Sequence, residues 1–486
     1  MDDSVIRPVI GARGWVYYPG SSMKGLFRRA CTPEQAAKYC GNLEKPGILR
    51  FQGGYPIDTT WTENLVDIVH PQQGWQVEDQ AKKSSAFAQI SLYKPTLRFS
   101  ISSTKEVDWN EIWQIWESAI ATGLGSRVCA GYGHVETSRD SVAQGLKVLY
   151  RTRLKGQGQA PKLLNGGGEF RPNIFRAALR GHALRIFGGL TDDRTAKRLV
   201  EELFGGVSGH GVVGLVGLRF QDSRLALPKF QAGSAYEQIA YEVEGELSLL
   251  LARSLKDPTH EETLKKLLAQ LVQFAIVLGG FGKSWRRADH RLFFEEYYEN
   301  DRDKPLIGCH WQWLGEVALR RDVQVRSLDQ LGSFIEKVRD TAAAWMRLQQ
   351  VIPNSARAAD WREAWHPERV QVWGRLAGSG EESEAIRWFH GAYQERIARV
   401  QAEGSIYRSG GLTGKVGQIG RLWHRMYPQV KLVKKKQDPE GKPEPRVMGE
   451  FLEWLTIFPD ESRECEQFLR FLQGEPFGFR QVWGDD

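Results

Sequence analysis

The chain is predicted to be α+β, with two tandem ferredoxin-like units followed by a mostly helical C-terminal region. Three observations predict this. Alternating apolar and polar residues, bounded by Gly, Pro and Gln clusters, dominate residues 1–105 and mark short strands. Two amphipathic helices, expected over 109–121 and 259–278, each run into a loop rich in glycine and basic residues. The stretch from 146 to 294 repeats the plan of the first in longer form, as an internal duplication would.

Taken in order, 48–51, 65–69 and 88–102 read as strands, and Ile112, Ile115, Trp116 and Ile120 share one face of the first long helix. In the second unit 146–154 reads as a strand, 173–187 as a helix opened by Pro172, 212–220 as an apolar strand and 235–252 as a long strand or hairpin. Strands separated by two helices in this order fit a split βαβ unit. The first unit has no room for an opening strand, because its first helix begins near Ser22. The expected boundaries are 1–145, 146–310 and 311–486, with helices in the last region over 328–351, 383–401, 451–458 and 463–472.

Composition narrows the class. With 486 residues, 41% hydrophobic and 26% charged, the chain is neither fibrous nor wholly disordered. Five cysteines without a C-x-x-C pair argue against a disulfide framework and a cysteine zinc site. The acidic start at Asp2-Asp3 is unlike a secretory leader, and the longest apolar run, 267–278, is too short and too polar to span a bilayer. A cytoplasmic protein without membrane contact is expected. The net charge of +7 suits a polyanionic partner, and it resides in 405–446, where ten Lys or Arg face three Asp or Glu. Lys434, Lys435 and Lys436 are its densest run.

Tyr18-Pro-Gly-Ser-Ser-Met-Lys-Gly-Leu-Phe-Arg-Arg29 is the most informative segment. A Pro-Gly turn before Ser21 and Ser22 places backbone N–H groups and hydroxyls at a helix start, where an anion is favoured. Lys24 and Arg28, four apart, share a helix face, with Arg29 beside them. The plain alternative is a capped surface helix with solvated charges. In the second unit Arg176 and Arg180 repeat the spacing, with His182 following. The glycine loops form a second matched pair: Gly125 and Arg127 in one, Gly282, Lys283, Arg286, Arg287 and Arg291 in the other. Flexible backbone with guanidinium and aromatic groups suits phosphate approach and base stacking. Neither loop is a dinucleotide fingerprint, and the segment from Ser409 to Val416 lacks the spacing of a P-loop. No Ser/His/Asp or histidine metal signature is visible.

The motif from Tyr18 to Arg28, with the paired Gly/Arg loops, resembles the CRISPR-associated RAMP superfamily over about residues 1–300. The resemblance implies ferredoxin-like units related to RNA-recognition modules. It also implies a subunit of a type III effector complex that binds guide RNA and shapes the guide–target duplex. Its partners would be guide RNA, target RNA, other RAMP subunits and a large polymerase-like subunit. Asp2-Asp3-Ser4-Val5-Ile6-Arg7 resembles the family pattern around an aspartate that cuts target RNA with a divalent metal. The catalytic and metal-binding role would carry onto Asp2, with Asp3 its neighbour and Mg or another divalent cation as cofactor. Asn165 precedes the second motif, so that unit is expected to bind without cutting. The absent opening strand departs from the family; a strand from elsewhere, or a start upstream of Met1, would account for it. The alternative is a guide-precursor-processing endoribonuclease using His182 as its base.

Overall fold

The computed structural model describes residues 5–6, 9–11, 14–62, 66–69, 87–90, 92, 94–125, 128, 131–135, 147–161, 167–206, 212–230, 238–253, 255, 257–282, 286–287, 309–390, 412–413, 420–434 and 442–485. The chain is α+β and divides into two compact units. The first is Met1–Lys147 with Pro161–Arg171, the second Val148–Ala160 with Pro172–Asp486. Among the described residues no helix is long and apolar enough to cross a membrane.

In the first unit, helix α1 (Gly20–Ala30) packs Met23, Leu26 and Phe27 against Ile112, Ile115 and Trp116 of α2 (Trp109–Ile120). Helix α2 starts where Asp108 accepts from the Asn110 N–H, and the 3.6-residue spacing of its apolar side chains supplies the buried face. Short strands β1 (Val5–Ile6), β3 (Val66–Val69) and β4 (Phe87–Ile90) form one sheet, in the order β1-β4-β3. Strands β2 (Leu49–Pro56) and β5 (Leu97–Ser103) pair antiparallel with a bulge between Phe51 and Gly53. The middle of the ferredoxin-like plan, helix-strand-strand-helix, is therefore present. Beside the β2–β5 pair, the described residues before α1 contribute the antiparallel bridge Tyr18–Gly54.

The second unit contains the complete plan. Strand β6 (Val148–Gln159) leads into α3 (Asn173–Gly188), and a further helix, α4 (Asp193–Phe204), is capped by Asp192. Strands β7 (Val216–Ala226) and β9 (Gln238–Leu251) follow, with short β8 (Lys229–Phe230) against β9. Helix α5 (Pro258–Phe274) then precedes β11 (His310–Trp313), and a two-residue strand, β10 (Arg286–Arg287), lies between them in sequence. The sheet order β11-β6-β9-β7, every neighbour antiparallel, is that of a split βαβ unit.

The same plan recurs at the C-terminal end. After α6 (Glu316–Arg321) and α7 (Asp329–Leu348) come β12 (Gln371–Ala377), α8 (Glu384–His390), β13 (Leu422–Val433), β14 (Glu444–Ile457), α9 (Arg463–Gln473) and β15 (Arg480–Trp483). The order β13-β14-β12-β15, all antiparallel, is again fourth-first-third-second when read from β15, with β10 added parallel to β13. The region expected to be mostly helical thus supplies four strands of a five-stranded sheet, with β10 as the fifth. The expected helix over 451–458 is instead the buried half of β14: its side chains are buried on both faces, so apolar periodicity alone does not separate strand from helix. Arg425 of β13 donates to Trp311 O of β11 at 3.0 Å, joining the two sheets, and the Trp454 indole of β14 donates to Val277 O in the helical turn after α5 at 3.1 Å.

Candidate nucleic-acid interface

Helix α1 begins at Pro19, extended at φ −61° and ψ 142°, and no side chain caps it. The N–H groups of its first turn consequently face outward with the positive end of the helix dipole, and no acidic residue occupies that turn. Ser21, Ser22, Lys24, Arg28 and Arg29 are all exposed. Arg28 uses one donor on Gly41 O at 2.7 Å.

Glycine is required at the start of this helix. A Cβ on Gly20 would overlap the carbonyl oxygen of Phe51, and one on Gly53, at φ +93°, would overlap that of Tyr18. The bulge in β2 and the helix start therefore interlock, tied by Tyr18 N–H to Gly54 O at 2.7 Å and Gly54 N–H to Tyr18 O at 2.8 Å. Burial pushes the pKa of the Tyr18 hydroxyl up, against the opposing pull of the Gly125 backbone and the Arg29 charge. Tyr18, at the helix start, and Leu124, in the glycine loop, both pack on the core of the first unit. Gly125 sits at φ +76° in a loop closed by Leu124 N–H to Gly133 O at 2.8 Å.

The second unit treats its matched residues differently. Arg176 donates to Phe204 O and Arg180 to Gly205 O, so both guanidiniums sit on the carbonyl end of α4. Each retains further donors. Burial lowers the pKa of Arg180, with the Arg176 charge adding to the effect. His182 is 4% exposed, its Nε2 2.9 Å from Gly280 O, and its ring fills the space where a Cβ on Gly279 would stand. That geometry suits packing of α3 on the glycine loop and gives no reach to an RNA hydroxyl. Gly282 has φ +89° and lies against Cys309. The backbone of Arg286 and Arg287 forms β10 beside His424 and Arg425 of β13, where the sequence implied a loop.

Lys434 is exposed just beyond β13. Asp2, Asp3, Arg127, Lys283, Arg291, Lys435 and Lys436 lie outside the described residues. Among the described residues no group of three or more His, Cys, Asp or Glu is placed to hold a metal.

One polar cluster went unseen in the sequence. Glu453, wholly buried in β14, accepts from Ser383 Oγ at 2.5 Å, Arg375 Nε at 2.6 Å and Ala385 N–H at 3.1 Å, and lies 3.1 Å from His424 Nε2. Ser383 in turn accepts the Ile386 N–H at the start of α8. A serine, a histidine and a carboxylate meet here, yet the hydroxyl donates to the carboxylate and is 1% exposed. The cluster anchors a helix and offers no nucleophile to a substrate. Glu453 is 29 residues from His424 and 70 from Ser383, so no local spacing could have revealed the cluster.

No known protein family matches the chain, and no curated protein does. Among solved structures it is similar to Cmr1 from Pyrococcus furiosus in its apo form. The two are 13% identical, with 69% of this chain and 98% of that one covered, at a TM-score of 0.35.

Proposed function

We propose that this protein is an RNA-binding RAMP subunit of a type III CRISPR effector complex, holding guide RNA and shaping the guide–target duplex. The single observation that carries the reading is the uncapped, basic and exposed start of α1 in the first unit. Tyr18, just before that helix start, packs on the same core as Leu124 of the glycine loop, so both phosphate-type motifs belong to one unit. The motif resemblance and the ferredoxin-like units support it. Exposed Ser21, Ser22, Lys24 and Arg29 would contact successive phosphates, while the backbone N–H groups of the first turn accept charge without sequence preference. Cutting of target RNA through Asp2 with a divalent cation is a narrower part of the same proposal, as are the other RAMP and polymerase-like subunits as partners.

The test is to purify the tagged chain from its own host under native conditions and sequence the RNA it retains. Short RNAs sharing one constant end and differing in the remainder, as guide RNAs do, are expected. Bulk RNA of random origin, or none, would sink the proposal.

A further inference from the structure

The hairpin that precedes α1 presents a group of aromatic rings. Ile10 pairs with Val16 and Tyr18 with Gly54, both as isolated antiparallel bridges, so the segment leaves its hairpin alongside β2 at Tyr18. Alternation then separates two faces: Val16 turns inward at 4% exposure, while Trp15 and Tyr17 share the other side. One step along from the Tyr18–Gly54 pair, Tyr17 meets Tyr55 with ring centroids 5.2 Å apart and planes within 8°. Trp15 and Trp61 lie 6.5 Å apart in the same stretch. Tyr55 is 48% exposed, Trp15 37% and Ile57 52%.

Single exposed apolar residues are ordinary on a protein surface; four aromatic rings gathered on one are not. Tyr55 is nearly half exposed and Trp15 more than a third, while Tyr17 and Trp61 are half-buried beside them. Among the described residues, the nearby carboxylate of Asp58 is turned to its own loop, accepting from the Thr60 N–H at 3.0 Å and hydroxyl at 2.7 Å. The rings also adjoin the basic helix start. Tyr17 is three residues before Gly20, and Gly53, against which the first turn of α1 packs, is two before Tyr55. Aromatic faces beside a cationic, donor-rich helix start match the two halves of an unpaired nucleotide, a flat base and a phosphate.

We propose that Tyr17 and Tyr55, with Trp15 and Trp61 beside them, form a stacking platform for unpaired nucleobases of the single-stranded RNA whose phosphates the start of α1 holds. This rests on the RNA-binding reading above. The platform is sequence-tolerant, because every base has a π face, and it acts on single strands, because paired bases are already stacked.

The experiment compares the full-length chain with its Tyr55→Ala, Trp15→Ala and Tyr55→Trp variants. Each is titrated by fluorescence anisotropy against labelled oligouridylate and against a ribose-phosphate oligomer of equal length lacking bases. The wild type is expected to prefer the base-bearing strand. Tyr55→Ala and Trp15→Ala should each weaken that strand roughly 5- to 150-fold, leave the abasic strand unchanged and keep the salt dependence, since no charge is removed. Tyr55→Trp should retain affinity, and unchanged circular dichroism of the alanine variants shows that they fold. Equal binding of both strands by the wild type, or equal loss on both by the variants, overturns the platform while leaving RNA binding standing. Failure of the wild type to bind either strand overturns the RNA reading itself. Loss of a protein subunit from the assembly with RNA affinity intact assigns the rings to a protein interface and overturns the proposal.

Discussion

Replacing Glu453 with alanine tests whether residues 371–483 fold as a ferredoxin-like unit knit together by its buried carboxylate. The change leaves the Arg375 guanidinium, the Ser383 hydroxyl, the His424 ring and the Ala385 N–H without the acceptor they share. Removing one partner of a buried ion pair costs about 3–5 kcal/mol, since the remaining charge stays desolvated. With a urea m-value on the order of 2 kcal/mol/M, the midpoint of the transition that unfolds this region should fall by about 2 M. Trp388, against Phe468 and Phe471, and Trp454, stacked on Tyr427, are buried fluorescence reporters within the same unit. Acid supplies an independent check. Burial raises the pKa of the Glu453 carboxyl, but the hydrogen bond and charge of His424, the Ser383 hydroxyl and Arg375 outweigh burial and hold it below its ordinary 4.5. A carboxyl depressed in the folded state contributes its full stabilisation above the unfolded value and loses it as pH falls below 4.5 toward the folded value. Wild type should therefore lose stability in that range by an increment absent from Glu453→Gln. A midpoint shift under about 0.5 M for Glu453→Ala would refute the buried network.

Three further outcomes follow from the geometry. Gly20→Ala places a Cβ on the Phe51 carbonyl, so it should cost about 1–3 kcal/mol in denaturation and weaken RNA binding in parallel, because the helix start must shift. Arg176→Ala and Arg180→Ala each remove a charge-assisted bond to the end of α4 and should cost about 1.5–3 kcal/mol of stability, with the salt dependence of RNA binding unchanged. Asp2→Ala, in the assembled complex, should retain target binding and lose one metal-dependent cut; an unaltered cleavage pattern by gel excludes that residue.

Strong local periodicity made much of the fold legible. The helix with Ile112, Ile115 and Trp116 on one face, and the long apolar strand from Gln238 to Leu251, fall where pattern placed them. The sheet at the C-terminal end did not show, because β13 and β14 are buried on both faces over much of their length and lose the period-two alternation that identifies a strand. The basic character of 405–446 also drew attention to charge, when its described part is mostly a sheet strand with Leu422, Trp423 and Tyr427 buried. Of the site, the α1 motif was readable because its serines, lysine and arginines are exposed and local. The partners of Arg176 and Arg180 were not, since the carbonyls of Phe204 and Gly205 come from a helix the pattern missed. The Tyr17–Tyr55 stack was equally hidden, because it depends on a β-bridge between segments far apart in sequence.

The most direct measurement of the central claim is the affinity of the full-length chain for a guide-length single-stranded RNA as a function of salt, for wild type and for the Lys24→Ala, Arg29→Ala double variant. Log affinity should fall linearly with log salt, and removing two phosphate contacts should reduce the slope by about 1.4. A flat dependence in the wild type, or a slope unchanged by the double substitution, would contradict the assignment of the exposed face of α1 to RNA.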